Sequence, residues 1–251
     1  YVQEHTGQEW AMRMDLRDFF PSVQRRQVEA IFRTAGYPGA VSELLARLTT
    51  TATPVGQLQE FSRSRGDEAR GPRLLNDLET YRVAHLPQGA PSSPALANLA
   101  AYRLDCRLAG LAGRHRANYT RYADDFLFSG GRHLRRDFDK LHVFVLSVIL
   151  EEGFQINPRK TRVMPKSSRQ QAAGLVFNSQ PNTPRRDYDQ LKAILHNCRH
   201  QGSESQNHAD HPHFESHLLG RVHFHRQINP KRGEKLLRMY REAFPRVSDI
   251  S

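Results

Sequence analysis

Large apolar residues alternate with smaller or charged residues along the segment Trp10–Arg17. Successive side chains of a strand point to opposite faces of its sheet, so the alternation predicts a strand with Asp15 opposite the large apolar residues. Pro21 and Ser22 then open a predicted helix that Gly36 ends. An aspartate in this place is an ordinary helix-entry residue unless other carboxylates lie near it, in which case it is a candidate metal ligand.

Helical periodicity dominates much of the remaining chain. Apolar residues recur three and four positions apart, as in the stripe of Leu134, Phe138, Leu141, Val145 and Val148. These stripes predict helices over residues 22–35, 40–49, 93–112, 133–151, 185–199, 213–226 and 230–243. Short strands are predicted over residues 154–157, 161–164 and 173–177. Residues 50–85 are polar without a sustained period, which predicts an inserted surface loop.

Two adjacent carboxylates, Asp124 and Asp125, stand between two runs of apolar and β-forming residues. The runs cover residues 118–121 and 126–128, and together they predict a hairpin with the acid pair at its turn. Such a pair is either a plain turn sequence, in which Asp is common, or a ligand pair whose repulsion a bound cation relieves. Carboxylate oxygens suit Mg²⁺, which binds one or two of them together with substrate phosphates.

A loop rich in Gly and Pro precedes the helix predicted at residue 93. Gln88 and Gly89 stand in it, and a glycine there lets a ligand approach the backbone closely. Ser93 is predicted to cap the helix and Pro94 to occupy its first turn. Without a ligand, the same residues make a simple helix-entry loop.

The composition favours a polyanionic partner. The chain carries a formal net charge of +11 and a sequence pI of about 10.1, which suits nucleic acid, although a solvated basic surface has the same composition. Cys106 and Cys198 lack metal-site spacing and are expected to be reduced thiols of a cytosolic protein. The histidines between residues 208 and 217 predict a polar loop rather than a zinc site. No apolar run of about 18 residues occurs, so no membrane span is expected.

Five segments resemble the motifs of the reverse transcriptase family. Residues 15–22 (DLRDFFPS) resemble motif A, residues 86–95 (LPQGAPSSPA) motif B and residues 122–125 (YADD) motif C. Residues 153–162 are similar to motif D, and residues 173–178 stand where the primer-grip motif E belongs. The order and spacing agree with the family, and the likeness covers most of the chain.

Within that family the chain resembles bacterial enzymes, closest to the retron type and near the group II intron type. Two retron elements are only partly present. Of the element expected upstream of motif A only His5 remains, and Ala172-Ala173-Gly174 replaces the Val-Thr-Gly element near motif E.

The resemblance implies an α+β fold, in which a right-hand polymerase palm of antiparallel sheet and packed helices precedes a helical thumb. We expect the palm to span residues 1–180, with motifs A to E and the inserted loop, and the thumb to span residues 181–251. The fingers motifs that precede motif A are largely absent from this chain, which begins with Tyr1.

The resemblance also assigns a metal and a proton donor. Asp15 and Asp124 are expected to hold two Mg²⁺ ions, with Mn²⁺ as an alternative, and Leu16 and Asp125 belong to the same metal site. Lys160 is the expected general acid that protonates the leaving pyrophosphate, although a basic residue on a surface strand would look the same.

Further residues are assigned to substrates. The nucleotide-binding set comprises Leu16, Phe20, Gln88, Gly89 and Tyr122. Phe20 takes the position of the steric gate that excludes a ribose 2′-hydroxyl, unless it is a core aromatic. The template–primer is expected to contact Gly174, Arg221, Arg226, Lys231, Arg232 and Lys235.

The resemblance therefore implies a retron-type RNA-directed DNA polymerase in the bacterial cytoplasm, without a membrane partner. It would extend a primer on a structured non-coding RNA with deoxyribonucleoside triphosphates, by two-metal transfer, and would release a DNA product. Anti-phage defence with an effector protein is the expected setting. The alternative is a catalytically idle domain that binds structured RNA as a scaffold, but three retained carboxylates argue against it.

Overall fold

The structure is a computed structural model that describes residues 1–64 and 80–245. The chain divides into two compact units. We call residues 12–163 the sheet unit, and residues 1–11 with the chain from Met164 onward the helical unit. This division lies at a different place from the boundary expected after residue 180.

Hydrogen bonds explain why residues 164–180 belong with the start of the chain. The Lys166 N–H donates to the Glu9 carbonyl over 2.8 Å. The side-chain amide of Gln170 donates to the carbonyl oxygens of Gln8 and Met164, each over 3.2 Å. Gln170 is fully buried, and buried polar groups need such partners. These bonds hold both segments in the helical unit.

Most elements of the sheet unit lie where the periodicity predicts them. Its strands are β1 (Trp10–Arg17), β2 (Asn118–Tyr122), β3 (Asp125–Gly130) and β4 (Gln155–Ile156). Its helices are α1 (Phe19–Ser22), α2 (Arg25–Thr34), α3 (Gly39–Thr49), α4 (Val55–Ser64), α5 (Ser93–Ala100), α6 (Tyr102–Arg114) and α7 (His133–Glu151). Strand β1 and a fifth strand, β5 (Arg162–Pro165), each cross the point where the units divide.

The sheet follows the order β2-β3-β1-β4. Strands β2 and β3 are antiparallel and pair Tyr122 with Asp125, which leaves Ala123 and Asp124 as a two-residue turn. Ala123 takes a φ of +54°, since turns of this length need a positive φ. Every residue of β3 is buried, because the strand lies inside the sheet. The predicted hairpin with the acid pair at its turn is confirmed.

Three predictions for the sheet unit are wrong in detail. The helix expected from residue 22 begins at Arg25, because Val23 and Gln24 are extended and separate it from the one-turn helix α1. The helix expected over residues 93–112 breaks at Ala101 into α5 and α6. Ser93, the expected cap, instead donates its hydroxyl to the Pro87 carbonyl over 2.6 Å.

The predicted loop over residues 50–85 contains helix α4. Residues 57–64 have neither Gly nor Pro, so the backbone is free to become helical although the sequence lacks a regular apolar stripe. The prediction for residues 65–79 lies outside the described residues. In α7, Ile149 rather than Val148 completes the buried stripe.

The helices predicted for the helical unit are confirmed to within a few residues. They are α8 (Arg185–Gln201), α9 (Phe214–Ile228) and α10 (Pro230–Ala243), and a short antiparallel pair, β6 (Gln171–Ala172) and β7 (Leu175–Val176), precedes them. The helices share one apolar core that includes Leu191, Leu195, Leu218, Val222, Leu236 and Tyr240. Across residues 1–64 and 80–245, no helix is both long enough and apolar enough to span a bilayer.

Helices α9 and α10 meet at a sharp junction. The Asn229 side chain accepts a hydrogen bond from the Arg232 N–H over 3.2 Å, and Pro230 occupies the first turn of α10, as capping rules predict. A Cβ atom at Gly233 would lie only 2.1 Å from the Arg226 Cα. The two helix backbones therefore touch at a position where only glycine fits.

Candidate active site

Strand β1 and the hairpin turn hold two carboxylates in fixed backbone positions. The Leu16 N–H donates to the Asp124 carbonyl over 2.8 Å, and the Asn157 N–H donates to the Asp15 carbonyl over 2.8 Å. The segment that follows β4 therefore fixes the backbone of Asp15. Leu16, the next residue of β1, fixes the backbone of the turn. Sequence alternation placed Asp15 on a strand, and these bonds place that strand beside the turn.

The two carboxylates border a cavity of about 730 Å³. Six of the residues expected to bind metal or nucleotide, or to donate a proton, line it: Asp15, Leu16, Phe20, Gln88, Asp124 and Lys160. They come from β1, α1, the loop before α5, the hairpin turn and the turn after β4. Segments far apart in the sequence therefore meet at one opening.

Asp15 forms an ion pair with Lys160. The Lys160 Nζ donates to Asp15 Oδ2 over 3.0 Å and lies 2.9 Å from Oδ1. Only the approach to Oδ2 has hydrogen-bonding angles, so Oδ1 stays buried without a hydrogen-bond donor among the described residues. The Asp15 side chain is 5% exposed and that of Lys160 is 55% exposed. One oxygen of this buried carboxylate therefore has an ammonium group nearby but accepts no hydrogen bond from the described residues.

Burial dominates the ionisation of this pair. Burial, and after it the charge of Asp124, raises the pKa of Asp15 even though the Lys160 ammonium opposes the shift. The hydrogen bond to Asp15 raises the pKa of Lys160, which keeps its ammonium group protonated at neutral pH. The site thus holds one proton donor and a carboxylate that is costly to ionise without a cation.

Asp125 forms an ion pair with Arg13, whereas its neighbour Asp124 borders the cavity. Arg13 donates two parallel hydrogen bonds to Asp125, from Nε to Oδ1 over 2.6 Å and from Nη2 to Oδ2 over 2.7 Å. Such forked pairs are among the stronger polar contacts in proteins. Asp125 is buried and is not among the residues that line the cavity.

The donor set around the cavity fits a divalent cation in part. Asp15 and Asp124 carry hard oxygen ligands, and Oδ1 of Asp15 accepts no hydrogen bond from the described residues. Within the described stretches, no three Asp, Glu, His or Cys side chains form a ready-made cluster. A carboxylate pair is enough for Mg²⁺, because this ion keeps waters and binds substrate phosphates.

Two residues expected at the nucleotide lie outside the lining of the cavity. Gly89 follows the lining residue Gln88 with a φ of +87°, a conformation that glycine adopts without strain. Tyr122 is 62% exposed at the end of β2. The structure thus brings Leu16, Phe20 and Gln88 to the cavity, and it does not bring Gly89 or Tyr122 there.

The expected nucleic-acid residues all lie in the helical unit. Gly174 and Arg221 line a second cavity, of about 490 Å³. Arg226 pairs with Glu234 over 2.7 Å. The other three lie along α10: Arg232 stacks 5.2 Å above the Tyr188 ring, whereas Lys231 and Lys235 are exposed.

Sequence reasoning missed part of the cavity wall. The Tyr81 hydroxyl donates to Asp18 Oδ1 over 3.0 Å, and both residues line the cavity with Thr53 and Gln57. Burial, and after it the Asp18 charge, raises the pKa of Tyr81 to about 12, so the phenol keeps its proton. Asp18 stands three residues after Asp15, which was the available signal, whereas nothing in the polar segment 50–85 marked Tyr81.

Comparison with known proteins decides the family. The family model described as "Reverse transcriptase (RNA-dependent DNA polymerase)" matches residues 1–177. The chain belongs to the reverse transcriptase family. The matched range contains β1, the hairpin and the cavity residues, so the site described above is the part of the chain that the family shares.

Similar reverse transcriptases come from bacterial retrons. The chain is 34% identical to the retron Mx65 reverse transcriptase of Myxococcus xanthus, over 93% of the chain and 50% of that protein. It is 37% identical to the retron Mx162 reverse transcriptase of the same organism, over 77% of the chain and 40% of that protein. It is 32% identical to the retron Ec86 reverse transcriptase of Escherichia coli, over 76% and 50%.

These likenesses confirm the predicted resemblance to retron-type reverse transcriptases. The mixture of helices with an antiparallel sheet also agrees with the predicted α+β class. The chain spans about half the length of the curated relatives it matches.

Proposed function

We propose that this chain carries the active site of a retron-type RNA-directed DNA polymerase. The observation that supports the proposal is the meeting of Asp15, Asp124 and Lys160 around one cavity that Phe20 and Gln88 also line. Two carboxylates and an ammonium group supply metal ligands and a proton donor for nucleotidyl transfer. The cavity volume of about 730 Å³ suits a ligand of nucleotide size.

Asp15 and Asp124 would hold two Mg²⁺ ions, or Mn²⁺ in their place, beside Leu16. When bound, the ions stabilise negative charge on the attacking and leaving oxygens. Asp125, held by Arg13, keeps negative charge close to the ligands without lining the cavity. Lys160 is protonated beside Asp15, and its role is to give that proton to the leaving pyrophosphate.

The remaining cavity residues select the nucleotide. Phe20 is half-buried beside Asp18 at the cavity wall, where a ring would exclude a ribose 2′-hydroxyl by shape. Gln88 is exposed at the same cavity, so its amide is available to the incoming deoxyribonucleoside triphosphate. Gly89 and Tyr122 would act from just outside that lining.

Residues 1–180 would act as the palm and residues 181–251 as the thumb. Arg221, Arg226, Lys231, Arg232 and Lys235 then bind the template–primer backbone, together with Gly174. Positive side chains neutralise phosphates and position the duplex without reading its sequence. The net charge of +11 supports such a partner.

The relatives' names point to the wider setting. Retron reverse transcriptases stand among the similar proteins, so we propose a structured non-coding RNA as template and DNA as product. Action in the bacterial cytoplasm, in anti-phage defence with an effector protein, is part of the same proposal.

Primer extension on an RNA template tests the proposal. Asp124→Asn keeps the shape of the side chain but removes its charge, and we expect it to abolish DNA synthesis while RNA binding, measured by fluorescence anisotropy, stays within about twofold. Asp139→Asn is the matched control, because Asp139 is exposed on α7. Robust synthesis by Asp124→Asn would refute the assignment, whereas RNA binding without synthesis by the parent protein would indicate a scaffold.

A further inference from the structure

The turn that carries Asp124 is held by the side chain of Arg121. Arg121 Nη1 donates to the Ala123 carbonyl over 2.9 Å, directly before Asp124 in the chain. The next carbonyl, that of Asp124, accepts from the Leu16 N–H over 2.8 Å. The two consecutive carbonyls of the turn are therefore both fixed, one by β1 and one by Arg121.

The same guanidinium is anchored to the helices that follow the Gly- and Pro-rich loop. Nε and Nη2 of Arg121 donate to the two carboxylate oxygens of Asp105 in α6, over 2.7 and 2.6 Å. Nη1 also donates to Asn98 Oδ1 in α5 over 3.0 Å. The Arg121 side chain is 6% exposed. All three nitrogens of this planar guanidinium donate hydrogen bonds, which fixes its orientation. A lysine ammonium could not make these bonds in the same directions.

Arg121 also reaches the segment after Asp15. Its guanidinium carbon lies 5.4 Å above the ring of Phe19, and Phe19 packs against Phe20, with ring centroids 5.5 Å apart. The cation–π contact thus reaches the residue next to the proposed steric gate. One side chain connects the hairpin turn, α1, α5 and α6.

A role in stability alone does not account for this geometry. Buried ion pairs often add little net stability, since apolar residues of similar volume serve as well. Tyr119, on the same side of β2 two residues earlier, already donates its hydroxyl to Asp105 over 2.8 Å. The additional hydrogen bond from Arg121 Nη1 goes to the Ala123 carbonyl in the turn, and it fixes the position of Asp124.

We propose that Arg121 is a positioning residue for Asp124, holding the turn in the place where that carboxylate shares a divalent cation with Asp15. The inference rests on the proposed function, because it takes Asp124 as a metal ligand. Residues that orient metal ligands typically affect metal affinity or activity 10- to 100-fold when they are replaced.

Arg121→Lys is the principal test, since it keeps the charge but loses the fork. We expect kcat for primer extension to fall roughly 100-fold with the nucleotide KM nearly unchanged, because small misplacement of a reacting group is costly. Mn²⁺ affinity, measured by electron paramagnetic resonance without nucleotide, should fall roughly tenfold. Arg103→Lys is the control, because Arg103 is an exposed arginine of α6 whose ion pair is with Glu152.

The thermal unfolding midpoint is measured for every variant. Parental kcat and Mn²⁺ affinity in Arg121→Lys would overturn the inference, as would a loss of activity that disappears below the unfolding range of the variant. If Arg121→Lys does not fold, Asp105→Asn carries the same test, because it weakens the anchor and leaves Arg121 in place. Failure of both variants to fold would make the network a folding element and reject the positioning role.

The proposed function is tested separately. An active Asp124→Asn protein would refute the metal assignment itself. An inactive Asp124→Asn protein beside a parental Arg121→Lys protein would refute the positioning role alone.

Discussion

Replacing Lys160 by methionine is expected to destabilise the metal-free protein and to tighten its binding of divalent cations. Methionine has a similar length without branching or charge, so the change removes the ammonium group from Asp15 and little else. Asp15 is 5% exposed, and a buried carboxylate that loses its ammonium partner is costly.

The size of the effect follows from the geometry of the pair. At the observed separation of 2.9 Å between Lys160 Nζ and Asp15 Oδ1, two unit charges interact by about 5–6 kcal/mol at an effective dielectric constant of about 20. The Lys160 side chain is 55% exposed, and solvent screening reduces the value to about 2 kcal/mol. We therefore expect the free energy of unfolding in EDTA to fall by about 2 kcal/mol.

A thermodynamic cycle links this loss to metal affinity. A divalent cation bound between Asp15 and Asp124 replaces the ammonium group as counter-charge, so the metal-bound protein gains little from Lys160. The variant should then bind Mg²⁺ or Mn²⁺ roughly 30-fold more tightly, because every 1.4 kcal/mol is about tenfold in affinity.

Urea denaturation in EDTA and calorimetric metal titration measure the two effects without catalysis. Activity assays would not separate the effects, because loss of the Lys160 proton donor slows turnover even if metal binding is unchanged. Arg159→Met is the control, since Arg159 is the exposed neighbour in the same turn. Weaker metal binding by Lys160→Met, or unchanged stability in EDTA, would refute the reasoning.

Four further outcomes are expected. Asp125→Asn should lower the free energy of unfolding in urea by about 1–3 kcal/mol, because its arginine fork loses a charged acceptor; a gain would mean that repulsion among the carboxylates dominates. Phe20→Val should raise the preference for ribonucleotides in single-nucleotide insertion by roughly tenfold, and an unchanged preference would make Phe20 a core aromatic. Replacing Arg232 and Lys235 together by Gln should flatten the log–log salt dependence of RNA binding by about two units, and an unchanged slope would place the phosphate contacts elsewhere. Burial lowers the pKa of His5 from 6.5 to about 4, so the unfolded chain takes up the proton first. Between these values the free energy of unfolding should fall by about 3 kcal/mol as the pH is lowered, and a pH titration of stability should be flatter for His5→Gln.

Local patterns predicted the elements of the fold better than their ends. The apolar stripe of Leu134, Phe138, Leu141 and Val145 predicted α7 with its bounds, because burial on one face demands that period. The break at Ala101 had no local signal, since the apolar stripe continues across it and neither Gly nor Pro marks it.

The site depended on likeness to a family rather than on periodicity. Lys160 reaches Asp15 across 145 residues of sequence, and no local pattern relates them, so only the order of the motifs brought them together. The contact between Arg121 and Asp105 was missed because each residue, taken alone, looks like a solvated charge. Their pairing follows from the packing of β2 on α6, a tertiary event that propensity does not encode.

The two-residue turn makes this hairpin intolerant of changes in length. Asp124 borders the cavity, whereas Asp125 is hydrogen-bonded to Arg13. The two differ because neighbouring side chains of a hairpin point to opposite faces. One inserted or deleted residue between the strands would shift the register by one position, so that neither acid keeps its own surroundings. A substitution alters one side chain, whereas an insertion or deletion here displaces both acids at once. In random insertion mutagenesis, active clones should therefore carry no insertions within residues 118–130, whereas loops away from the cavity should accept extra residues.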